Sequence, residues 1–348
     1  MHLPLTTPYQ PDGRLNLRKL EDNVKRYSKT PAAGLVVLAR SGQPTLLSDA
    51  ETREALRTVV ESAAAEKVLI AGVARDSVDG TLELIAYAAG IGYDAALVPV
   101  PSILRGRKDT TGELLSFYRA VADRAALPVV LESGVAGDGQ ISLELVVKLA
   151  QHPNVIGVVD ADARPERIEA VLQGCAAVRH EVTVTSVFAA VTHRMLAKAE
   201  PAAGMFLSAG ALSDGGTALS VAPPATKSTL KTRTRAVGFQ VLCGRTAGIF
   251  DALQAGAVGA VPPLAASAPQ VCYEVLAAWK DGDPALAAEK QERLRLLSHR
   301  VEEELGVAGI KFGCDLNGYF GGRPRLPILP LTGAEREEIE GLMAGIRN

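Results

Sequence analysis

The sequence predicts an α/β fold, a (β/α)8 TIM barrel followed by a C-terminal helical extension. Short runs rich in Val, Ile and Leu alternate with segments of helical periodicity, and these runs are apolar on both faces, as in a parallel sheet covered by helices. The chain has 348 residues, 47% of them hydrophobic, which is enough for one barrel. A doubly wound sheet is the alternative, but no GxGxxG motif follows the first strand.

The elements follow one another in a regular order along the chain. Strands are predicted at residues 3–9, 34–39, 68–74, 95–101, 127–133, 155–160, 239–244 and 256–261. Helices are predicted at residues 48–66, 110–125, 142–151, 164–178 and 247–256. The first of these helices opens with Ser48 and Glu51 at the spacing of a capping box. In such a barrel we expect the functional residues at the C-terminal ends of the strands.

Two segments lie outside this repeat. Residues 281–348 contain two helical stretches around a Gly/Pro-rich segment, and we expect them to form a helical extension packed on a barrel of residues 1–280. Residues 181–236 form an insertion that leaves the barrel at the N-terminal ends of the strands, and the second part of the insertion is rich in Gly, Ser, Thr and Pro. We interpret this insertion as a surface element, with an oligomer contact or a lid as the alternative.

Composition excludes several classes of function. The net charge of −2 provides no electrostatic basis for binding nucleic acid or an anionic membrane. No apolar run is long enough to span a membrane, and the N-terminus lacks the features of a signal peptide, so we expect a cytoplasmic protein. The four cysteines are widely spaced and form no metal-ligand pattern, and no cofactor motif is present. We therefore predict no cofactor.

Charged and hydroxyl side chains occur at the predicted strand ends. These residues are Arg40, Ser41, Arg75, Asp76, Glu132, Ser133, Asp160, Asp162 and Arg245. A guanidinium group suits a carboxylate or a phosphate, so Arg40 is predicted to bind a substrate anion, with Ser133 and Arg245 as further substrate-binding candidates. An ion pair that closes an empty mouth is the alternative role for Arg40.

Two acids end adjacent predicted strands. The carboxylates of Glu132 and Asp160 are candidates for acid/base catalysis, because neighbouring carboxyl groups can share one proton. They are also candidate ligands of a divalent metal, although no histidine lies at a strand end and no metal is predicted. Helix capping or a solvated loop is the alternative role for both acids.

Several motifs occur together in one order: "GLVVLARSGQPTLLSDAE", "LPVVLESGVAG", "VGFQVLCGRTAGIFDALQAGAVGAVPPLAASAP" and "GVAGIKFGCDLNGYFGGRPRLPILPLT". In this order they resemble the dihydrodipicolinate synthase/N-acetylneuraminate lyase family. The resemblance covers nearly the whole chain except the insertion. It implies a (β/α)8 barrel, a lyase or aldolase activity on a small-molecule carboxylate such as a 2-oxo acid, and a homodimer or homotetramer.

The resemblance also locates the family's catalytic positions. In the family, a lysine at the end of the sixth strand forms a Schiff base with the 2-oxo acid, and the matching position here is Val159. The relay tyrosines would fall on Glu132 and near Ile103, while Ser41 keeps the hydroxyl of the relay threonine and is a third catalytic candidate. The sequence therefore predicts a divergent lyase without the usual lysine. An inactive family member that binds a small acid and a metal-dependent, enolate-forming lyase are the alternatives.

Overall fold

Eight parallel strands form one sheet that curves into a nearly closed barrel. The computed structural model describes residues 1–199 and 231–346. In sheet order the strands are β1 (His2–Pro4), β2 (Gly34–Val37), β3 (Val68–Gly72), β4 (Ala95–Pro99), β5 (Val129–Ser133), β6 (Val155–Asp160), β9 (Gln240–Cys243) and β10 (Gly259–Ala260). The turn Pro263–Ala266 after β10 contacts β1 and brings the two ends of the sheet together. The predicted barrel is confirmed.

Helices follow the strands and cover the outside of the sheet. They are α1 (Leu17–Tyr27), α2 (Asp49–Ser62), α3 (Val78–Ile91), α4 (Thr111–Arg124), α5 (Leu143–Leu149), α6 (Pro165–Gly174), α8 (Ile249–Gln254) and α9 (Pro269–Lys280). The predicted capping box of α2 is present, because the Glu51 N–H donates to Ser48 Oγ at 3.3 Å and the Ser48 N–H donates to the Glu51 carboxylate at 2.9 Å. No helix in the described parts of the chain is long and apolar enough to cross a membrane.

The core has an inner and an outer layer. The outer layer packs the alternate side chains of the strands against the helices. The inner layer fills the barrel with small and branched side chains, as in other barrels of this type. Its members are Val36, Ala39, Ile70, Ala95, Leu97, Val130, Val159, Leu242 and Val261. Val159 therefore faces the barrel interior near the C-terminal ends of the strands.

Three helices follow the barrel and hold its N-terminal segment. They are α10 (Pro284–Leu297), α11 (Gly306–Leu316) and α12 (Gly333–Met343), and α10 continues as a π-helix over Ser298–Glu304. Lys311 is fully buried and donates to the carbonyl oxygen of Thr7 at 2.6 Å, and burial lowers its pKa to about 7. Arg325 donates to the Glu51 carboxylate at 2.6 and 2.8 Å. These contacts fix the loop after β1 and the first turn of α2.

The described part of the insertion lies at the N-terminal end of the barrel. It contains an antiparallel ribbon of β7 (His180–Thr185) and β8 (Thr232–Val237), and the helix α7 (His193–Ala199). Thr192 Oγ1 donates to the Ala65 carbonyl at 2.5 Å, just before β3, and the His193 N–H donates to the Asp94 carboxylate at 2.8 Å, just before β4. The described part of the insertion therefore lies opposite the predicted site. The basic end of the Gly/Ser/Thr/Pro-rich part lies in β8, and the rest of this part, up to residue 230, lies outside the described residues.

Candidate active site at the barrel mouth

The register of β5 and β6 separates the two candidate carboxylates. Glu132 lies opposite Val159, and Ser133 lies opposite Asp160. Successive side chains of a strand point to opposite faces, so Glu132 and Val159 face the barrel interior together with Val130, which belongs to the inner layer. Ser133 and Asp160 face the surrounding helices. The structure therefore does not bring Glu132 and Asp160 together.

Asp160 belongs to a buried ion pair outside the barrel. Its Oδ2 accepts a hydrogen bond from Arg167 Nε of α6 at 2.6 Å, and the side chains of Asp160 and Arg167 are only 2% and 9% exposed. Oδ1 accepts the backbone N–H groups of Asp162 at 3.0 Å and Ala163 at 3.3 Å. Arg167 Nη2 also lies 3.3 Å from Ser133 Oγ. These contacts connect the ends of β5 and β6 to α6, so Asp160 and Arg167 stabilise the fold.

Glu132 is the carboxyl group that faces the barrel interior at the mouth. It is partly buried, and its strand neighbours in the sheet register are Pro99 and Val159. Desolvation raises its pKa, while the positive charges of Arg40 and Arg105 and the backbone N–H of Arg40 partly oppose this shift of the pKa. Glu132 can exchange a proton, and the guanidinium groups of Arg40 and Arg105 are the groups that can bind an anion.

Arg105 was not among the predicted site residues. It lies in the loop after β4, where its Nε donates to the Val100 carbonyl at 3.1 Å. Its charge acts on Glu132 and also on the buried phenol of Tyr118. No motif surrounds Arg105. Its position in a loop after a predicted strand was the sequence signal that could have indicated a site residue.

A second arginine spans the mouth. Arg40 lies in the turn after β2, and its guanidinium group donates to the carboxylate of Asp138 in the loop after β5. Strands β2 and β5 are not neighbours in the sheet, so this ion pair crosses the opening. The side chains of Arg40 and Asp138 are 62% and 45% exposed. The structure therefore places Arg40 at the mouth with an internal carboxylate already bound to it.

The loop that carries Asp138 is held by its own backbone. The Gly134 N–H donates to the Gly139 carbonyl at 2.9 Å, and the Asp138 N–H donates to the Val135 carbonyl at 2.9 Å. Gly137 and Gly139 have positive φ values of 81° and 76°, which glycine adopts without strain. The result is a compact loop with Asp138 directed towards the opposite side of the mouth.

The other candidates from the sequence lie around this centre. Ser41 is 5% exposed, in the same turn as Arg40. Arg245 Nη2 lies 3.7 Å from the Glu303 carboxylate of the π-helix, so this side chain is directed towards the C-terminal extension. The remaining charged candidates have polar partners of their own: Arg75 contacts Asp49 at 2.6 Å, Asp76 accepts from Ser102 Oγ at 2.6 Å, and Asp162 accepts from Gln140 at 2.9 Å.

Lysines are scarce on this face of the molecule. Among residues 1–199 and 231–346, Lys108 is the one lysine in a loop that follows a barrel strand, and its side chain is exposed. Lys311 is buried in the C-terminal extension, and Lys67 donates to the Thr30 and Ala32 carbonyls at the opposite end of the barrel. Near the end of β6, the side chain that faces the barrel interior is the alkyl group of Val159.

Metal ligands are not clustered within the described ranges. These ranges contain no group of three or more His, Cys, Asp or Glu side chains able to hold an ion. Glu132 and Asp160, the candidate ligands, face opposite sides of the sheet, as the register requires.

Comparison with known proteins identifies the family. The profile of the Dihydrodipicolinate synthetase family matches residues 1–197 and 225–345. The chain belongs to this family. The resemblance inferred from the strand-end motifs is therefore confirmed, and the family match also includes both sides of the insertion.

Curated and solved members of the family align along the chain. A 4-hydroxy-tetrahydrodipicolinate synthase from Acidiphilium cryptum is 26% identical over 343 residues, which are 98% of this chain and 96% of that protein. The dihydrodipicolinate synthase of Bacillus anthracis has a TM-score of 0.76 at 20% identity and covers 100% of this chain and 98% of its own. A prophage protein of the family from E. coli K12, solved in complex with pyruvate, has a TM-score of 0.75 at 22% identity, with 99% and 97% covered. These structural likenesses establish the fold.

Proposed function

We propose that this family member is a lyase that acts on a small 2-oxo acid at the barrel mouth, without a Schiff base at the end of the sixth strand. The observation that carries the proposal is the interior-facing Glu132 carboxyl group, which lies under the charges of Arg40 and Arg105. The family and its curated synthases support a lyase as the reaction class. The substrate class follows from the two guanidinium groups, because each can bind a carboxylate by two parallel hydrogen bonds.

The chemistry assigns a separate role to each group. In the cleavage direction, ionised Glu132 takes the proton of the 4-hydroxyl group of a 4-hydroxy-2-oxo acid, and the C3–C4 bond breaks. The electron pair of that bond becomes the enolate of the shorter 2-oxo acid, an aldehyde leaves, and Glu132 returns the proton to C3. Arg105 or Arg40 stabilises the enolate oxygen by a charge-assisted hydrogen bond. Burial raises the pKa of Glu132, which makes its ionised form a stronger base than an ordinary carboxylate.

Val159 carries the second part of the proposal. An alkyl side chain is neither a nucleophile nor a proton carrier, so it cannot form the iminium intermediate of a lysine aldolase. Lys108 is the described lysine on the mouth side, and it lies on an exposed loop rather than at the end of the sixth strand. We therefore expect no covalent adduct with a 2-oxo acid.

Borohydride trapping tests this part directly. Wild type, Lys108→Ala and Val159→Lys are incubated with pyruvate and sodium borohydride, and intact-mass spectrometry follows. We expect the wild-type mass to stay unchanged. An adduct that disappears in Lys108→Ala would show that Lys108 supplies the amine, and the no-Schiff-base proposal would then fail. Val159→Lys serves as the variant in which a lysine occupies the sixth-strand position.

The catalytic part is tested by turnover. A panel of 4-hydroxy-2-oxo acids is incubated with wild type, Glu132→Gln and the exposed control Glu144→Gln, and release of the 2-oxo acid is measured. We expect Glu132→Gln to lower kcat by about 10²- to 10⁴-fold, the usual contribution of a general acid–base group, while KM changes little. Equal rates for Glu132→Gln and wild type would remove Glu132 from the reaction.

An inactive acid-binding protein is the second candidate. The Arg40–Asp138 ion pair across the mouth favours it, because this pair closes part of the opening. Such a protein would bind a 2-oxo acid in a thermal-shift screen without releasing a product from any member of the panel. A metal-dependent route would need further ligands beside Glu132, since Asp160 is held by Arg167.

We also propose that the protein assembles as a homodimer or homotetramer in the cytoplasm, as the family resemblance implies. A relative of known structure is described as a monomeric variant of dihydrodipicolinate synthase, so the oligomeric state has to be measured for each member. Light scattering at micromolar concentration is the measurement, and a single monomeric species would contradict the proposal.

A further inference from the structure

The ion pair across the mouth occupies the position where a ligand carboxylate is expected. We infer that Asp138 is an internal competitor of the substrate: its carboxylate binds the guanidinium group of Arg40 and is displaced when a small monocarboxylate, such as a 2-oxo acid, enters the mouth. This inference rests on the proposed function. It makes Asp138 a residue that determines affinity and specificity although it takes no part in the reaction.

The geometry of Arg40 supports competition. The positive charge of Arg40 lowers the pKa of Glu132 inside the barrel, while its guanidinium group binds Asp138 at the rim. A carboxylate that binds this guanidinium group from the barrel side would lie beside Glu132, which is the position that proton exchange requires. The same guanidinium group cannot offer its full set of donors to Asp138 and to a ligand carboxylate in one fork geometry.

The weakness of the pair permits displacement. Both side chains are largely exposed, and exposed ion pairs contribute little to stability because water and salt screen them. The loop from Gly134 to Gly139 is closed by its own backbone hydrogen bonds, so it can move as a unit. Gly137 and Gly139 lie on either side of Asp138 and can absorb changes of backbone angle. Release of Arg40 therefore disturbs few other contacts.

Charge balance indicates the ligand class. Two arginines, Arg40 and Arg105, face two acids, Glu132 and Asp138, so the ionised centre is neutral. One ligand carboxylate that replaces the Asp138 carboxylate at Arg40 preserves the ion pair. A dicarboxylate brings a second negative charge close to Asp138, and like charges at this distance repel. The arrangement therefore favours acids with one carboxylate over dicarboxylates.

Calorimetric titration of variants tests the competition. Pyruvate and 2-oxoglutarate are titrated at low ionic strength into wild type, Asp138→Asn, Arg40→Gln and the double variant. Asp109→Asn is the matched control, because Asp109 is an exposed aspartate on the same face. We expect Asp138→Asn to bind pyruvate about two- to fivefold more tightly, the range of an exposed ion pair, and to gain more for 2-oxoglutarate. Arg40→Gln should bind pyruvate about tenfold or more weakly than wild type. The double variant should have the same affinity as Arg40→Gln.

The outcomes separate this inference from the proposed function. Pyruvate binding that weakens in Arg40→Gln but does not tighten in Asp138→Asn overturns the role of Asp138 and leaves the site in place. Absence of pyruvate binding in all variants, Asp138→Asn included, overturns the proposed function and the competition with it. Equal tightening in Asp138→Asn and Asp109→Asn would show a general charge effect and also overturn the inference. Unchanged urea midpoints would establish that every variant is folded.

Discussion

Two arginine–aspartate pairs lie at the same end of the barrel and have opposite characters. The Asp160–Arg167 pair lies between the sheet and α6, is almost fully buried, and has further backbone donors on the carboxylate. The Arg40–Asp138 pair crosses the open mouth, is mostly exposed, and connects two loops. Each pair joins an arginine to an aspartate at or after a strand end, Asp160 on β6 and Asp138 after β5. Their surroundings therefore determine whether the charge stabilises the fold or meets a ligand.

The pleat of the strands keeps Asp160 out of the mouth, whereas Arg40 and Asp138 lie in loops beyond the strand ends. On β5 and β6, Glu132 and Val159 face inward, whereas Ser133 and Asp160, one residue later, face outward. An acidic residue at a strand end can therefore contact a ligand in the mouth only if its side chain faces the barrel interior. The outward pair should therefore dominate stability, and the mouth pair should dominate binding.

The largest effect is expected when the buried pair is broken. Replacing Arg167→Ala leaves the Asp160 carboxylate buried without its cation, so the free energy of unfolding should fall by about 3–5 kcal/mol. Urea denaturation at pH 7 is the measurement. Arg164→Ala is the control. Arg164 lies nearby and pairs with Asp162, but the Arg164 side chain is exposed, so a much smaller loss of unfolding free energy is expected. Similar losses in both variants would remove the distinction between buried and exposed pairs.

The fold was predictable from the sequence. Whether each strand-end side chain faces the barrel interior or the surrounding helices was not. Eight apolar runs and their order predicted the barrel. Placing Glu132 and Asp160 needed the register, which shifts between Val129 and Val130. A one-residue shift moves a side chain to the other face, and no local pattern in the sequence encodes such a shift.

The partners of the site were also beyond the sequence pattern. Asp138 reaches Arg40 only because its loop closes through Gly137 and Gly139 in the left-handed region, and the two residues are 98 positions apart. Arg105 and Arg167 lie in a loop and a helix where arginine is common on the surface. Such contacts depend on tertiary structure rather than on periodicity, so the sequence predicted Arg40 and Glu132 without their partners.

An intermediate effect is expected at the Arg325–Glu51 pair, whose side chains are 18% and 25% exposed. Arg325→Ala should lower the free energy of unfolding by about 1.5–3 kcal/mol, because a charge-assisted bidentate contact is lost. Arg325 holds the pKa of Glu51 at about 2, below its ordinary value of 4.5. This stabilisation is therefore complete above pH 4.5 and is lost as the pH falls towards 2.

Urea denaturation of wild type and Arg325→Ala from pH 7 to pH 3 measures this dependence. The difference in unfolding free energy between the two proteins should shrink on acidification. Arg323→Ala is the matched control, since Arg323 is exposed two residues earlier in the same segment. A difference that stays constant across the pH range would show that packing of the Arg325 side chain, rather than its charge, holds the C-terminal segment.

The ionised carboxylate of Glu132 is expected to destabilise the fold, whereas that of Glu51 stabilises it. Burial raises its pKa in the folded protein, so its ionised form destabilises the fold above the ordinary pKa of 4.5. Glu132→Gln should therefore raise the melting temperature at pH 7, and the gain should fade as the pH falls through the raised pKa and vanish below 4.5. Calorimetric scans at several pH values measure it. A loss of stability in Glu132→Gln at pH 7 would mean that Arg40 and Arg105 more than compensate for the burial.

The smallest effect on stability is expected at the Arg40–Asp138 pair, for which we propose a role in binding. A double-mutant cycle of Arg40→Ala and Asp138→Ala should give a coupling energy of about 0–1 kcal/mol, and the coupling should decrease when salt is added. The reason is exposure: water solvates both groups in the folded and the unfolded protein, so little free energy depends on their contact. A coupling near 3 kcal/mol that persists in high salt would mean that the pair fastens the loop after β5 to the turn after β2. Asp138 would then be a structural residue like Asp160, and a ligand carboxylate could not displace it at small cost.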